Sequence, residues 1–216
     1  MSPARERVLH EVARVVAAAR PQGIARVAID GVDGAGKTCF ADELAIVLAP
    51  SGRPVIRASV DDFHRPMAER HARGRDSPEG FFVDSYDYGV LRERLLDPLA
   101  PGGSRRFRRH AFDWRRDEPV DAPVEAAAPN AILLLDGIFL HRDELFALWD
   151  LSVFLRVSTE TSLARNAARG GRPSGRYTDG QRLYLTTCDP ERRATIVIDN
   201  DDLAAPRVIP ASPEGV

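Results

Sequence analysis

Gly31-Val32-Asp33-Gly34-Ala35-Gly36-Lys37-Thr38 follows the pattern Gly-x4-Gly-Lys-Thr, in which backbone N–H groups surround the phosphates of a nucleotide. Lys37 is the only lysine among the 30 basic residues of the chain. A compact ammonium on a flexible stem can lie along two phosphates, whereas a guanidinium is wider and planar. The motif therefore predicts a phosphate-binding loop, or P-loop, whose nucleotide-binding residues are Gly31, Asp33, Gly34, Ala35, Gly36, Lys37, Thr38 and Cys39.

The segments on either side of this motif agree with the prediction. Residues 24–30 form a short run of mostly apolar and β-branched residues, which is typical of a strand. Residues 40–48 carry apolar side chains at helical spacing. A strand, a glycine loop and a helix N-terminus direct backbone N–H groups and the positive end of a helix dipole at one anion.

Composition limits the classes of protein to consider. The chain has 216 residues, 44% of them hydrophobic and 29% charged, which favours one α/β domain without a membrane helix. Residues 1–20 do not form a signal peptide, so we expect a cytoplasmic protein. Cys39 and Cys188 have no metal-ligand spacing and suggest no disulfide framework. A formal net charge of −2 argues against a general polyanion binder.

Strand-like and helix-like segments alternate along the chain, a pattern typical of a parallel sheet covered on both faces. The predicted strands cover about residues 24–30, 54–60, 131–136, 151–157 and 194–199. Predicted helices cover residues 3–20, 89–99, 141–149 and 159–169. Residues 119–129 are expected to form a loop, and residues 208–216 a frayed tail.

Asp136 follows the apolar run Ile132-Leu133-Leu134-Leu135 at the end of a predicted strand. A carboxylate at the carboxyl end of a parallel strand lies at the crevice where such sheets bind ligands. Together with the hydroxyl of Thr38, it is typical of the oxygen ligands that hold Mg²⁺ beside a P-loop. The alternative is a residue that caps the strand end or the turn.

Asp61 and Asp62 directly follow the second predicted strand. Phosphoryl transfer to a hydroxyl needs a group that accepts the hydroxyl proton, and an aspartate performs this task in several kinases. We predict that Asp61 is this base or shares in Mg²⁺ coordination, and that Asp62 tunes the local field. The alternative for the pair is a cap on the next segment. His64 is a candidate substrate contact, with a solvated or packing role as its alternative.

Arginines flank a predicted helix break. Arg165 and Arg169 lie one helical turn apart, and Gly170-Gly171 and Pro173 interrupt the helix before Arg172 and Arg176. Arginines that close on ATP neutralise the charge of the transferring phosphoryl group and exclude water. The pattern predicts a lid over about residues 169–178. Arg169 and Arg172 are the favoured catalytic residues, and an exposed basic loop is the alternative.

A second basic cluster, residues 105–116, interleaves arginines with Phe107, Phe112 and Trp114. Such a mixture can bind nucleic acid, because guanidinium groups contact phosphates and aromatic rings stack on bases. The rest of the chain does not support that reading, and a solvated arginine face is a further alternative. Because Gly102-Gly103 and Pro119 stand at its ends, we predict that about residues 102–119 form a flap over the acceptor pocket.

Six sequence motifs together resemble those of the uridine kinase family. They are the P-loop, Ser-Val-Asp-Asp-Phe-His at 59–64, Asp-Ser-Tyr-Asp-Tyr at 84–88, Leu-Leu-Leu-Asp-Gly-Ile-Phe at 133–139, Asp189-Pro190 and Val-Ile-Asp-Asn at 197–200. That family is related to phosphoribulokinase and bacterial pantothenate kinase. The likeness covers most of residues 24–205. It implies an α/β P-loop NTPase fold, a three-layer sandwich with a central parallel sheet of about five strands. It also implies ATP and Mg²⁺ as cofactors, and transfer to the 5′-hydroxyl of uridine or cytidine.

The resemblance assigns roles position by position. Lys37 and Thr38 take the phosphate and metal roles, Asp61 matches the family's base, and Asp136 stands where the family usually has glutamate. In the family's Phe-Asp-His-Pro-Asp block the first aspartate binds the ribose, whereas this chain reads Gly-Phe-Phe-Val-Asp at 80–84 and matches only the later aspartate, Asp84. The residues that recognise the pyrimidine are loosely matched near Phe112. The remaining candidates are Arg165 for the nucleotide and Arg176 for the substrate. The oligomeric state is open, with a homo-oligomer as one alternative.

A nucleotide-dependent switch is the competing class of function. A GTPase switch is expected to carry an Asn-Lys-x-Asp element that reads guanine, and this chain has no lysine outside the P-loop. The sequence therefore favours a kinase that acts on a small molecule. A pantothenate-like compound or a sugar phosphate remains an alternative acceptor.

Overall fold

A mostly parallel sheet of six strands forms the centre of the protein in a computed structural model that describes residues 1–170 and 174–210. The strands are β1 Ala25–Gly31, β2 Val55–Ser59, β3 Arg106–Phe107, β4 Phe112–Asp113, β5 Glu118–Pro119, β6 Glu125–Ala126, β7 Ile132–Gly137, β8 Leu151–Arg156, β9 Ile196–Asp199 and β10 Arg207–Ile209. The helices are α1 Pro3–Ala18, α2 Lys37–Leu48, α3 Met67–Arg70, α4 Pro78–Asp84, α5 Tyr88–Leu91, α6 Asp143–Phe146, α7 Thr159–Ala168, α8 Gly175–Cys188 and α9 Pro190–Arg193.

The order of strands in the sheet is β10-β9-β8-β1-β7-β2, and every neighbouring pair except β9 and β10 is parallel. All residues of β1 and β7 are buried, because helices cover both faces of the sheet. The predicted α/β class and central parallel sheet are confirmed. Each of the five predicted strands lies within two residues of its expected bounds.

Two apolar clusters lie on opposite faces of the sheet. On one face, Val12 and Val16 of α1 pack with Phe40 and Leu44 of α2. The other face is covered by α4, α5 and α8, with Phe139 and other aromatic residues between them. Within the described ranges, no helix combines the length and the apolar composition needed to cross a bilayer.

The expected frayed tail is wrong for its first residues. Val208 and Ile209 pair antiparallel with Ile198 and Val197 in β9. Without β10, β9 would expose a row of unpaired backbone groups at the edge of the sheet, so the pairing satisfies them. Residues 211–216 of the predicted tail lie outside the described part of the chain.

The helix predictions were only partly correct. The segment predicted as a helix at residues 141–149 is helical only in α6, because His141 is turned into the interior. At residues 89–99, α5 passes into a π-helical stretch, Arg92–Leu96. The sequence analysis did not predict α8, which contains the poor helix former Gly180. A Cβ at Gly180 would lie 2.7 Å from Phe81 and 2.8 Å from the Pro78 carbonyl, so the glycine permits close packing of α8 on α4.

A buried carboxylate connects the P-loop to the rest of the fold. Asp30 is fully buried, and its Oδ1 accepts the N–H of Gly31 at 2.6 Å. Its Oδ2 accepts the backbone N–H of His141 at 3.1 Å, contacts Nδ1 of His141 at 2.7 Å, and accepts the hydroxyl of Tyr184 from α8. Burial and the charge of Asp30 raise the pKa of Tyr184 well above its usual value, so its hydroxyl stays protonated.

Nε2 of His141 lies 2.9 Å from the hydroxyl of Ser152 on β8, which completes a Ser-His-Asp series with Asp30. The three residues have exposed fractions of 3%, 0% and 0%, respectively. A nucleophile needs access to its substrate, and this serine has none. The series is therefore a structural network rather than a hydrolase site.

Arg53 connects three segments that precede parallel strands. Its guanidinium donates to six backbone carbonyls: those of Ala17, Ala19, Arg20, Gly23, Asn130 and Ala131. The residue is 8% exposed. One planar group thus holds the end of α1, the entry to β1 and the entry to β7 against the entry to β2.

We expect Arg53→Ala to lower the free energy of unfolding by about 3 kcal/mol, because several half-buried carbonyls lose a charged donor. Urea denaturation monitored by circular dichroism measures this. The matched control is Arg116→Ala, whose side chain is 77% exposed. A loss of unfolding free energy no larger than in this control would contradict the stabilising role assigned to the hydrogen bonds of Arg53.

Candidate active site

The P-loop connects β1 to α2, and its geometry depends on glycine. Gly34 and Gly36 have positive φ angles of 78° and 87°. A Cβ at Gly34 would also lie 2.7 Å from the carbonyl oxygen of Ser162, so a larger residue is excluded there. Gly36 is the N-cap of the twelve-residue helix α2, whose free N–H groups therefore face the loop.

A cavity of about 170 Å³ lies above this loop, at the carboxyl ends of the parallel strands. We call it the phosphate cleft; its lining residues are Asp33, Gly34, Gly36, Lys37, Thr38, Cys39, Asp61, Tyr86, Asp136, Gly137, Ile138 and Arg169. The cleft thus contains the predicted P-loop lysine, both predicted metal-site carboxylates and one predicted lid arginine. Nζ of Lys37 donates to the carbonyl of Val32 at 2.9 Å, which holds the ammonium over the loop.

Asp136 is held from two sides. The hydroxyl of Thr38 donates to its Oδ2 at 2.7 Å, and Nη2 of Arg57 donates to its Oδ1 at 2.9 Å. Arg57 also donates to the carbonyl of Leu134 at 2.9 Å and, through Nε, to Asp42 at 2.9 Å. The carboxylate of Asp136 is therefore oriented with one oxygen toward the P-loop.

The oxygen donors of the cleft fit a magnesium ion. Mg²⁺ prefers hard oxygen ligands and usually keeps several waters beside one or two carboxylates and the substrate phosphates. Thr38, Asp136 and the exposed Asp61 supply such donors at one cavity. Over residues 1–170 and 174–210, no group of three or more His, Cys, Asp and Glu side chains could hold a metal unaided. A site of this kind would need the phosphates of a nucleotide to complete it.

Asp61 lies in a short 3₁₀ turn directly after β2, and the hydroxyl of Ser59 caps this turn by accepting the N–H of Asp61 at 3.3 Å. Its Oδ1 accepts the hydroxyl of Tyr86 at 2.9 Å. Burial and the charge of Asp61 raise the pKa of Tyr86 well above its usual value, so Tyr86 stays a donor. Among the described residues, no hydrogen bond engages Oδ2 of Asp61, which can take another partner.

Aromatic rings surround Asp61 on the flap side. The ring of His64 packs 4.6 Å from that of Tyr86 and 5.9 Å from that of Trp114, and its Nδ1 lies 2.8 Å from the Asp61 carbonyl. Burial lowers the pKa of His64, which favours the neutral ring. Asp62 points instead toward His110 at 3.7 Å, and burial raises its pKa.

The predicted lid arginines have different surroundings. Arg169 ends α7, is exposed and lines the phosphate cleft. Arg165 donates to the carbonyls of Gly34, Asn200 and Asp201, so in this structure it connects the P-loop to the segment after β9. Arg172 lies outside the described residues.

Arg176 does not reach the phosphate cleft. It is 6% exposed, and its guanidinium donates to four carbonyls of the segment before α4: those of Arg70, Gly74, Arg75 and Ser77. Among the residues that the structure describes, these hydrogen bonds support that segment, and the contact of Arg176 with substrate stays a prediction.

Two predicted substrate residues also lie outside the cleft. Asp84 is engaged by Nε of Arg73 at 2.9 Å. Phe112 is buried in the β4–β5 hairpin, opposite Pro119. Conversely, the sequence analysis did not assign Tyr86 or Arg57 to the site. Tyr86 lies in the Asp-Ser-Tyr-Asp-Tyr block that was recognised, whereas a single arginine inside a strand carries no local signal.

Arg57→Leu should lower the free energy of unfolding by about 3 kcal/mol, because it leaves the almost fully buried carboxylate of Asp136 without its cation. Chemical denaturation measures this. Asp42→Asn is the control: it breaks the outer contact of Arg57 at a carboxylate that is 61% exposed, and we expect a loss below about 1 kcal/mol.

The double variant Arg57→Leu/Asp136→Asn tests the same pair from the other side. Removing the uncompensated charge should recover part of the lost stability. Equal losses in the single and double variants would mean that Arg57 acts through its other contacts.

Comparison with solved structures identifies the architecture. A possible uridine kinase from Bacillus stearothermophilus matches with a TM-score of 0.71 and 22% identity, over 89% of this chain and 98% of that one. A protein described as a fructose transport system kinase from Silicibacter sp. TM1040 matches at 0.64 and 24%, over 86% and 94%. D-glycerate 3-kinase from Cryptococcus neoformans matches at 0.60 and 12%, over 97% and 100%. At these identities the likeness shows a shared fold.

Sequence comparison supplies the family. No curated protein matches the chain. The model of the phosphoribulokinase/uridine kinase family matches residues 26–188, which include the P-loop, Asp61, Asp136, Arg165 and Arg169. With more than half of its length matched, the chain belongs to the phosphoribulokinase/uridine kinase family.

Proposed function

We propose that this protein transfers the γ-phosphoryl group of ATP, bound with Mg²⁺, to a hydroxyl of a small molecule. The observation that carries the proposal is the convergence of Lys37, Thr38, Asp61 and Asp136 on one cleft at the ends of three neighbouring parallel strands. Phosphoryl transfer depends on positioning and on charge stabilisation, and these residues supply both.

Each group has a role in the proposed reaction. The ammonium of Lys37 and the N–H groups at the start of α2 bind the phosphates. Thr38 and Asp136 would hold Mg²⁺, which neutralises charge on the β- and γ-phosphates. Asp61 accepts the proton of the attacking hydroxyl, since Tyr86 fixes one of its oxygens and leaves the other for the acceptor.

The proposed lid and flap complete the site. Arg169 already lines the phosphate cleft, and we propose that it closes on the γ-phosphate, with Arg172 as a second candidate. The β4–β5 hairpin contacts the acceptor side, because Asp117 accepts the N–H of Met67 at 2.7 Å and Trp114 lies against His64. We propose that all of these parts belong to one kinase domain, which we expect in the cytoplasm.

For the acceptor, we propose the 5′-hydroxyl of uridine or cytidine. The family supports a nucleoside, and the rings of His64, Tyr86 and Trp114 beside Asp61 suit a flat base. The engagement of Asp84 by Arg73 weighs against a family-like ribose contact at that position. A sugar phosphate or a pantothenate-like compound is the alternative, and the names of two structural relatives refer to fructose and D-glycerate.

Purified protein with ATP and Mg²⁺ should release ADP only when an acceptor is added, because the proposed base acts on an acceptor hydroxyl. A coupled ADP assay over nucleosides, sugar phosphates and pantothenate measures this. Turnover with uridine or cytidine would support the nucleoside proposal, and turnover with another compound alone would replace it. Rapid hydrolysis without any acceptor would favour a nucleotide-dependent switch.

Asp61→Asn should retain ATP affinity and lose about 10²–10⁴-fold in kcat, because the amide keeps the shape of the carboxylate but cannot take a proton. Calorimetry and steady-state kinetics separate the two effects. Asp62→Asn is the matched control, since Asp62 faces His110 instead of the cleft, and we expect its kcat within about threefold of wild type. Unchanged turnover in Asp61→Asn would remove this residue from the mechanism.

A further inference from the structure

A second and larger cavity lies beside the P-loop. It is about 490 Å³ and opens between α7 and α8, above the carboxyl end of β8. We call it the inter-helix cavity. The phosphate cleft, at about 170 Å³, lies on the other side of Asp33, the residue that lines both. The volume of the inter-helix cavity is within the range of small-molecule sites in proteins.

The walls of this cavity are largely apolar. Val32 and Val157 line its floor, Leu163 lines it from α7, and Leu185 lines it from α8. Tyr177 also lines it and is held in place by an edge-on contact with Phe81, with ring centroids 4.9 Å apart. Such a surface favours a flat, apolar ring over a flexible polar chain.

The polar groups indicate a neutral occupant. Thr159, Asn166 and Thr178 line the same cavity and carry hydroxyl and amide groups of the kind that bond the edge of a ring. The charged residues among those described as lining it are Asp33 and Arg182. Arg182 is paired with Asp179 at 3.1 Å and its side chain is 74% exposed, so it provides no enclosed phosphate site.

We infer that the inter-helix cavity is a binding site for a small, uncharged aromatic or heteroaromatic ring compound, distinct from the phosphate cleft, with which it shares only Asp33 among the described lining residues. This site acts on the P-loop through Asp33. Gln181 of α8 accepts the N–H of Asp33 at 3.0 Å and donates to its carboxylate at 3.1 Å. From α7, the hydroxyl of Ser162 donates to the carbonyl of Asp33 at 2.6 Å.

These contacts couple the inter-helix cavity to the P-loop. Both helices that border the cavity hold the same P-loop residue, so a ligand that fixes their separation also fixes the position of Asp33. Arg169, at the end of α7, lines the phosphate cleft and moves with the same helix. Occupation of the cavity therefore changes ATP affinity, and by linkage ATP changes the affinity of the ring compound by the same factor.

Binding is tested with indole as the probe, by ligand-observed NMR on the full chain. We expect one saturable site with a dissociation constant below about 1 mM, which suits a ligand of this size. Leu163→Trp fills the cavity and should weaken indole binding at least tenfold, and Leu185→Trp serves as a second filling variant. The matched control is Leu183→Trp, which changes a leucine of similar exposure on α8 that does not line the cavity.

Absence of saturable indole binding, or equal loss in Leu183→Trp and in both filling variants, would overturn the site. Coupling is tested by calorimetric titration of ATP with and without saturating indole. We expect at least a threefold change in ATP affinity, reduced in Gln181→Leu. An unchanged ATP affinity would refute the coupling. Indole binding is measured without turnover. The NMR binding test therefore still decides whether the site exists if the proposed kinase reaction is not observed.

Discussion

The buried carboxylate of Asp30 is the constraint on which the site depends. It accepts hydrogen bonds from the first P-loop N–H, from the backbone of His141 and from the hydroxyl of Tyr184. One residue of β1 thus connects the P-loop, the segment after β7 and helix α8. A buried charge is tolerated only where its hydrogen bonds are satisfied, so these three elements have one favourable arrangement. That arrangement brings the P-loop and α8 to the same end of the sheet.

The arginines explain why the chain has a single lysine at its P-loop. Arg53, Arg57, Arg165 and Arg176 each use a planar guanidinium to hold several oxygens at once, mostly backbone carbonyls. An ammonium could not span those acceptors. Residue 37 has the opposite requirement: its charged group must fit inside a tight loop, where the ammonium of Lys37 contacts the carbonyl of Val32. These four arginines therefore support the framework, whereas Lys37 and Arg169 line the phosphate cleft.

Periodic segments were predictable and long-range contacts were not. The five parallel strands were located within two residues, because each is a short run rich in apolar and β-branched residues. Helix α8 was missed because Gly180 weakens its local signal, and only packing against Phe81 and Pro78 gives that glycine a purpose. The strand β10 was missed for a similar reason, since its partner β9 and the open sheet edge are tertiary features.

By itself, the sequence determined the phosphate-binding loop, the parallel sheet and the carboxylates at strand ends, because each depends on neighbouring residues or on a strand terminus. Only the tertiary structure decided which arginine faces the cleft and which one supports the framework. It placed Arg169 at the phosphate cleft, turned Arg176 toward the backbone carbonyls of the segment before α4, and set Arg57 against Asp136. A guanidinium takes its role from the oxygens that the folded chain brings within its reach, and those oxygens are distant in sequence.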